Sequence, residues 1–184
     1  MKLSLFFAAT AALLLLAPTA SAQDAPARGN DEARVSPNAS VMQTIGTTNV
    51  TVHYGRPSVR GRDIFGGLEP YGQVWRTGAN EATTISFSAP ITIGGTEVPA
   101  GTYSLFTIPE ETSWTVILNS TAEQWGAYGY DPAQDVARTT VAVRAAPSET
   151  EQFEISFDSV TDTNAMMVMA WDDVVVQVAL TAGG

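Results

Sequence analysis

Arginine is concentrated in one stretch of the chain, GRPSVRGRDIFGGLEPYGQVWRTGANEAT, which covers residues 55–83. A guanidinium group is a rigid fork of N–H donors that suits carboxylates, phosphates and backbone carbonyls. The stretch has a net charge of +1, whereas the rest of the chain after residue 22 has a net charge of −12. Its charged residues are four arginines and three acids: Arg56, Arg60, Arg62, Arg76, Asp63, Glu69 and Glu81. This local reversal of charge marks the stretch as the first place to look for a function.

Two interpretations of these arginines are open. In the structural one, the guanidinium groups pair with the three acids and satisfy carbonyls of a long loop. Removing one partner of a buried pair would then cost about 3–5 kcal/mol. In the functional one, two or more guanidinium groups converge on an anion-binding pocket. The presence of three acids in the same stretch favours the structural interpretation.

The end of the stretch, WRTGANEAT (residues 75–83), places several polar side chains beside a tryptophan. Asn80, close to Gly78, is typical of a turn. Glu81 would have the chemistry of a general base if it were removed from water. An ion pair between Arg76 and Glu81 is the simpler expectation.

A second irregular segment, NSTAEQWGAYGYDPAQD, covers residues 119–135. The rings of Trp125, Tyr128 and Tyr130 could stack on a sugar, on another planar ligand or on guanidinium groups of the first segment. In the alternative, they close an open end of the fold as part of its core. If the two segments meet, arginines and aromatic rings form a pocket of mixed character. This convergence is our main hypothesis from the sequence.

Metal and triad chemistry have little support in the composition. His53 is the single histidine and the chain has no cysteine, which excludes a histidine-rich or thiolate metal site. A mixed metal site of His53, Glu81 and Asp131 is an open alternative that we do not favour. A triad of His53 with Ser58 is not favoured either, because no G-x-S-x-G motif occurs. We expect no metal and no cofactor.

Apolar residues alternate with period two along much of the chain, which predicts short, half-buried strands. The alternation is clearest in NVTVHY (49–54), WTVIL (114–118) and FEISFDS (153–159). Turn signals such as Gly94-Gly95 separate the runs, and no amphipathic helix of useful length occurs. We predict an all-β fold, a single antiparallel β-sandwich or jelly-roll-like domain with one long ordered Gly/Arg-rich loop. The same pattern could instead close into a barrel.

The start of the chain predicts export. Residues 1–22, MKLSLFFAATAALLLLAPTASA, have a charged beginning, a short apolar run and a small-x-small cleavage pattern, so we predict a signal peptide cut near Ala22. Residues 23–37 are polar and predict a flexible leader, and residues 38–181 form the predicted β-sandwich domain. No segment after the signal peptide is apolar enough to predict a transmembrane span. The expected location is the periplasm or the outside of the cell.

The charge of the chain limits its partners. After residue 22, eight arginines and 19 acids give a formal charge of −11. This argues against nucleic acid, whose binding needs a basic surface, and against anionic lipid surfaces. The expected partner is a small anionic or carbohydrate ligand.

Several phrases, in the same order, resemble one protein family. The arginine-rich stretch is followed by ITIGGTEVPAGTYSLFTIP, WTVILN and QWGAYGYD. Over residues 37–180 the chain resembles the bacterial, secreted domain-of-unknown-function family 2911. The resemblance implies an exported β-rich domain and carries over no catalytic role. The residues that carry it are Arg56, Pro57, Gly61, Arg62, Gly66, Gly67, Pro70, Tyr71, Trp75, Arg76, Gly78, Ala79, Asn80, Glu81, Ala82, Pro99, Gly101, Tyr103, Trp125, Gly126 and Tyr128.

We therefore predict an exported bacterial β-domain that acts as a binding module, with an arginine and aromatic pocket for a small anionic or polyhydroxyl ligand. One alternative is a hydrolase-type enzyme that uses Glu81 or His53, with arginines stabilising an oxyanion. Another is a structural envelope protein without a ligand. No catalytic residue is assigned. The predicted ligand-binding residues are Arg56, Arg60, Arg62, Trp75, Arg76, Asn80, Glu81, Trp125 and Tyr128.

Overall fold

The computed structural model describes residues 28–29 and 32–183, so the predicted signal peptide and part of the predicted leader lie outside the described residues. The strands are β1 Asn38–Ile45, β2 Thr48–Gly55, β3 Thr83–Phe87, β4 Ile91–Ile93, β5 Thr96–Val98, β6 Gly101–Pro109, β7 Ser113–Asn119, β8 Asp135–Asp158 and β9 Asn164–Ala182. A short 3-10 helix, Pro132–Gln134, precedes β8. The described residues form no α-helix, and thus no helix long and apolar enough to cross a membrane.

All nine strands join in one antiparallel sheet, in the order β1-β2-β3-β6-β7-β8-β9-β4-β5. The predicted all-β, antiparallel fold is confirmed. The strands form a single continuous sheet instead of two separate ones, because β8 is long enough to pair with β7 in one half and with β9 in the other. Within the described residues β1 and β5 are the two edges of the sheet, so the alternative of a closed barrel is not realised.

The long strand β8 carries the chain from one half of the sheet to the other. It pairs with β7 as far as Ala142 and with β9 from Val143 onward. Its register with β9 shifts between Ala145 and Thr150, and again between Thr150 and Glu154. Such irregularities bend an antiparallel strand and increase its twist.

The two halves of the sheet face each other across one core. The rings of Tyr54 in β2 and Phe153 in β8 meet edge to face, with centroids 5.7 Å apart. The hydroxyl of Tyr54 accepts a hydrogen bond from the N–H of Ile155 at 3.1 Å. Val50 and Val52 are buried on the same side of β2 as Tyr54, as the period-two alternation predicts.

Aromatic side chains fill the centre of the core. The indoles of Trp75 and Trp171 stack with centroids 5.7 Å apart and an interplanar angle of 17°. Trp114 meets Trp75 edge to face at 5.8 Å, and Phe65 lies 4.8 Å from Trp114. Phe65 and Trp75 belong to residues 55–82, the arginine segment. This segment therefore supplies part of the core as well as covering it.

Backbone hydrogen bonds hold the arginine segment against the sheet. Near its start, the N–H of Phe153 donates to the carbonyl of Pro57 at 2.9 Å. Near its end, Trp75 and Thr107 exchange two backbone hydrogen bonds, of 2.7 and 3.0 Å. Each end of the segment is thus hydrogen-bonded to a strand, β8 at the start and β6 at the end. This confirms the predicted long ordered Gly/Arg-rich loop.

Gly55 allows the two ends of the arginine segment to approach each other closely. A Cβ atom at Gly55 would lie 2.4 Å from the carbonyl oxygen of Ala79. Gly78 has a φ of +150°, and a Cβ there would lie 2.9 Å from the carbonyl oxygen of Gly55. Only glycine avoids these overlaps, so both positions depend on the missing side chain.

Candidate functional site

The two irregular segments meet beside the start of β3. The second of them, residues 119–135, is the aromatic loop. The N–H of Ala82 donates to the carbonyl of Gln124 at 3.0 Å. The N–H of Gly126 donates to the carbonyl of Asn80 at 3.1 Å. The end of the arginine segment therefore lies directly against the aromatic loop.

The leader also lies against this junction, although the sequence predicts it to be flexible. The side chain of Arg28 is 7 % exposed, and its guanidinium is surrounded by acceptors. Its Nε donates to Oδ1 of Asn38 at 3.3 Å. Its four remaining N–H groups donate, over 2.8–3.3 Å, to the carbonyl oxygens of His53, Ala79, Glu81 and Ala82. All five donors of the guanidinium are thus satisfied.

The leader also neutralises Glu81. Both ends of the Arg34 guanidinium bind this carboxylate, at 2.7 and 3.0 Å, and Arg28 lies 3.5 Å from it. Burial acts to raise the pKa of Glu81, but the hydrogen bond from Arg34 and the charges of Arg28 and Arg34 outweigh it and hold this pKa below its usual value. The prediction of an ion pair between Arg76 and Glu81 is wrong, because Arg34 and Arg28 of the leader bind this carboxylate instead.

Three arginines of the arginine segment line one small cavity of about 190 Å³, which we call the arginine cavity. Its charged lining residues are Arg60, Arg62, Arg76 and Glu69, and the leader contributes Val35 and Ser36. Nε of Arg62 donates to the carbonyl of Val59 at 3.0 Å, which fixes that side chain. The backbone N–H of Arg60 donates to Oε1 of Glu151 at 3.1 Å. Hydrogen bonds of the protein thus fix the side chain of Arg62 and the backbone of Arg60 in the cavity wall.

Arg76 is not fully satisfied. Its Nε is buried and has no hydrogen-bond partner among the residues that the structure describes. No carboxylate of those residues lies within ion-pair distance of its guanidinium either. A buried donor without an acceptor costs about 1–3 kcal/mol. An acceptor within the cavity would remove this cost.

Glu69 is the carboxyl group of the arginine cavity. Burial raises the pKa of Glu69 to about 7, against the opposing charges of Arg76 and Arg62. Its backbone N–H donates to the carbonyl of Ile64 at 2.9 Å, which anchors the residue to the loop. Near neutral pH the cavity therefore combines three guanidinium groups with a carboxyl that is only partly ionised, and its net charge is positive.

Trp75 and Arg56 were predicted to bind the ligand, but neither of them lines the arginine cavity. Trp75 is 2 % exposed, and its indole N–H donates to the carbonyl of Gly78 at 3.1 Å. It is a core residue, so its predicted role as the wall of a pocket is wrong. Nε of Arg56 donates to the carbonyl of Phe153 at 2.9 Å, and its guanidinium lies 3.6 Å from Glu154. Arg56 therefore ties the arginine segment to β8.

The turn between Trp75 and Glu81 is strained and holds the leader. Thr77 has a φ of 53° and Asn80 a φ of 66°, both in the left-handed region. Asparagine tolerates this region, but for a buried, β-branched threonine it is an outlier that costs about 1–3 kcal/mol. The hydroxyl of Thr77 donates to Oγ1 of Thr107 at 3.1 Å. Asn80 was predicted to bind a ligand. Its side-chain N–H donates to the carbonyl of Ser36 in the leader, at 3.1 Å.

The aromatic loop presents two exposed rings. Trp125 is 59 % exposed and Tyr128 is 91 % exposed. Trp125 borders a cavity of about 270 Å³, the Trp125 cleft, whose lining residues are Arg28, Glu81, Ala82, Thr84, Ala122, Glu123, Gln124 and Trp125. Tyr130 packs on Phe106 with centroids 5.1 Å apart and donates its hydroxyl to Asp135 at 2.7 Å. Tyr130 thus belongs to a small second core.

The arginine cavity and the Trp125 cleft are separate. Val35 of the leader lines the arginine cavity on one side. On its other side it lines a recess of about 500 Å³ that also contains Asn80 and Trp125. The predicted pocket of mixed character is therefore not one space: Arg60, Arg62 and Arg76 line one cavity, Trp125 lines another, and leader residues contribute to both.

Comparison with protein families identifies the chain at the level of the family. A family model described as "Protein of unknown function (DUF2911)" matches residues 36–180, a range that includes the arginine segment and the aromatic loop. The chain belongs to the DUF2911 family. Among curated proteins and among solved structures, nothing matches this chain. Arg28 and Arg34 precede the matched range, whereas the acceptors that they bind at the turn lie inside it.

The hydrolase alternative for this DUF2911 chain names His53 and Glu81 as its two candidate residues. Burial and the charge of Arg28 lower the pKa of His53. Glu81 is held by two arginines and has a lowered pKa, so it is a poor proton carrier. Within the described residues, no three His, Asp or Glu side chains are placed to hold a metal ion.

Several residues of the site are not among those predicted from the sequence. Two of them, Arg28 and Arg34, lie in the predicted flexible leader, which contains two of the eight arginines of the chain. Cations in a polar segment of a strongly acidic chain were the signal that could have found them. Thr84 and Gln124 of the Trp125 cleft carried no such signal in this DUF2911 sequence, because single neutral polar residues are common in strands and loops.

Proposed function

We propose that this DUF2911 protein is an exported binding module that holds a small anion in the arginine cavity. One observation carries the proposal: Arg60, Arg62 and Arg76 line a single cavity, and Nε of Arg76 is buried without an acceptor among the described residues. Export rests on the signal-peptide pattern of residues 1–22.

The charges around the cavity support an anion as the ligand. The chain after residue 22 has a formal charge of −11, yet three guanidinium groups share one wall. Guanidinium binds carboxylate and phosphate through short, charge-assisted hydrogen bonds. Glu69, the one acid among the described residues that line the cavity, is partly protonated near neutral pH, so it opposes an anion less than an ordinary glutamate would.

The dimensions of the cavity favour a small ligand. Pockets for drug-sized molecules have volumes of roughly 300–1,000 Å³. The arginine cavity has about 190 Å³, which suits a phosphate group or a small carboxylate.

Isothermal titration calorimetry with phosphate, acetate and citrate at low ionic strength tests the proposal. We expect Arg76→Met to weaken binding by about 10- to 100-fold, the value of a lost charge-assisted hydrogen bond. Arg144→Met is the matched control, because Arg144 is exposed and donates to Gln177 at 2.9 Å. The absence of binding by all three anions, or an equal loss in both variants, would contradict the proposal.

The surroundings of Glu69 favour a second candidate, acid–base catalysis on an anionic or acyl substrate. A carboxyl group with a pKa of about 7 is suited to proton transfer near neutral pH, and arginines beside it would stabilise developing negative charge. Turnover of 4-nitrophenyl phosphate or 4-nitrophenyl acetate that Glu69→Gln abolishes would support this activity. Unchanged turnover in Glu69→Gln would exclude it.

A further inference from the structure

We infer that the Trp125 cleft is a second binding site, which takes a neutral polyhydroxyl ring of the size of one monosaccharide. The inference concerns different residues from those of the arginine cavity and does not depend on the function proposed for that cavity.

The polar side of the cleft has unused hydrogen-bonding capacity. Oγ1 of Thr84 and Oε1 of Gln124 are buried and have no hydrogen-bond partner among the described residues. Both residues line the cleft, Thr84 from β3 and Gln124 from the aromatic loop. Nε2 of Gln124 donates to the carbonyl of Thr121 at 2.8 Å, so the amide is held in one orientation. Two residues of the cleft lining, from different elements, thus each carry a buried oxygen atom without a partner among the described residues.

Hydroxyl groups are the complementary chemistry for these two atoms. The amide oxygen of Gln124 only accepts, whereas the hydroxyl of Thr84 both donates and accepts. A ligand hydroxyl can donate to the first and exchange a hydrogen bond in either direction with the second. Leaving both oxygens unpaired in a buried position is costly, which favours a ligand that satisfies them.

The charged groups of the cleft favour a neutral ligand over an anion. All five N–H groups of Arg28 have acceptors within the protein. The carboxylate of Glu81 accepts two hydrogen bonds from Arg34. An anion would meet Glu81 and Glu123 with no free cation opposite them among the described lining residues. The Trp125 cleft differs in this respect from the arginine cavity.

The apolar side of the cleft is the ring of Trp125. Indole offers a flat apolar face with a polar edge, a suitable surface for the C–H face of a sugar ring. The cavity volume of about 270 Å³ is close to the lower end of ligand pockets, which begin at roughly 300 Å³, and it suits a single ring.

Iodide quenching of tryptophan fluorescence tests the inference. All four tryptophans lie in the described residues, and Trp75, Trp114 and Trp171 are buried, so iodide reports on Trp125 alone. D-glucose, D-galactose and N-acetyl-D-glucosamine are the probes. We expect at least one of them to protect Trp125 in a saturable way, with a Kd of about 1 mM or tighter. Thr84→Val should weaken this binding by about fivefold, the value of one hydrogen bond.

Calorimetry with the same sugars provides the controls. Trp125→Ala changes an exposed side chain and should lose at least about tenfold in affinity. Tyr128→Ala, at an exposed ring of the same loop that does not line the cleft, should bind as the unchanged protein does. Arg76→Met should also leave sugar binding unchanged, which separates this site from the arginine cavity.

Three results would overturn the inference. The first is no saturable protection by any of the three sugars. The second is protection by gluconate without protection by glucose, which would assign the cleft to anions. The third is an equal loss of affinity in Trp125→Ala and Tyr128→Ala, which would indicate non-specific contact with exposed rings.

Discussion

Arg34 and Glu81 form a two-point ion pair, with distances of 2.7 and 3.0 Å between guanidinium and carboxylate. The pair joins the leader to a turn 47 positions further along the chain. Arg28 inserts its guanidinium among carbonyl groups of the same turn. These contacts hold leader residues that line the arginine cavity and the Trp125 cleft, so a segment outside the sheet contributes to the walls of both.

Replacing Glu81 by alanine is expected to destabilise the fold. The change removes the charge partner of Arg34 and of Arg28, whose side chain is only 7 % exposed. Breaking a fully buried pair costs about 3–5 kcal/mol, and we expect about 2 kcal/mol here because Arg34 and Glu81 remain partly exposed. Urea unfolding measures the loss. Glu154→Ala is the matched control, since its pair with Arg56 is exposed, and an equal loss in both variants would contradict this account.

The stability of the fold is expected to fall as the pH rises from about 4.5 to 7. Burial raises the pKa of Glu69 from its ordinary value of 4.5 to about 7, so the folded state keeps a proton that the unfolded chain has already released. Stability decreases with pH wherever the folded state binds more protons. The contribution of Glu69 is about 2 kcal/mol, lower than the full shift implies because the group is partly exposed.

The measurement is urea unfolding at pH 5 and pH 8 on the unchanged protein and on Glu69→Gln. Glutamine cannot ionise, so the variant should lose less stability than the unchanged protein between the two pH values. Identical pH dependence in the two proteins would show that Glu69 is not the titrating group.

Anion binding in the arginine cavity is expected to weaken as the pH rises from about 6 to 8. An anion beside Glu69 favours the protonated carboxyl, so binding above its pKa of about 7 requires the uptake of a proton. Phosphate changes its own charge in this range, so acetate is the better probe. Titration of acetate at pH 6 and at pH 8 should show that the affinity is about tenfold lower at pH 8. This is the effect expected one pH unit above the pKa of Glu69. Glu69→Gln should bind acetate almost equally at the two values.

Gly55→Ala is expected to be among the most damaging single substitutions in the chain. Its Cβ would lie 2.4 Å from the carbonyl oxygen of Ala79, a backbone atom that cannot move without displacing the turn that holds the leader. We expect a loss of more than about 3 kcal/mol, at the upper end for a single substitution. Gly61→Ala is the control, because a Cβ there meets nothing within 4 Å and only its φ of +66° is unfavourable. Its cost should be about 1–2 kcal/mol. Thermal unfolding of both variants checks that Gly55→Ala loses more stability than Gly61→Ala.

Much of the fold could be predicted because its signals are local. The alternation in β2, where Val50 and Val52 are buried and Asn49 is exposed, follows from the pleat of a strand and needs no knowledge of distant residues. The loop was predicted to be ordered, and its residues Ile64 and Trp75 are both buried. The continuity of the sheet could not be predicted, because it depends on where β8 bends and changes its partner strand.

By itself the sequence determined that this is an all-β, strongly acidic chain with an ordered arginine-rich loop, because composition, period-two alternation and turn residues act over a few positions. Only the tertiary structure decided which guanidinium groups have all their hydrogen bonds satisfied within the protein and which do not. Arg28 donates to carbonyl groups of the turn and Arg34 binds the carboxylate of Glu81. Nε of Arg76, in contrast, has no acceptor among the described residues. The partner of a guanidinium is the acceptor that the fold brings within about 3 Å of it, and for Arg34 that acceptor lies 47 positions away.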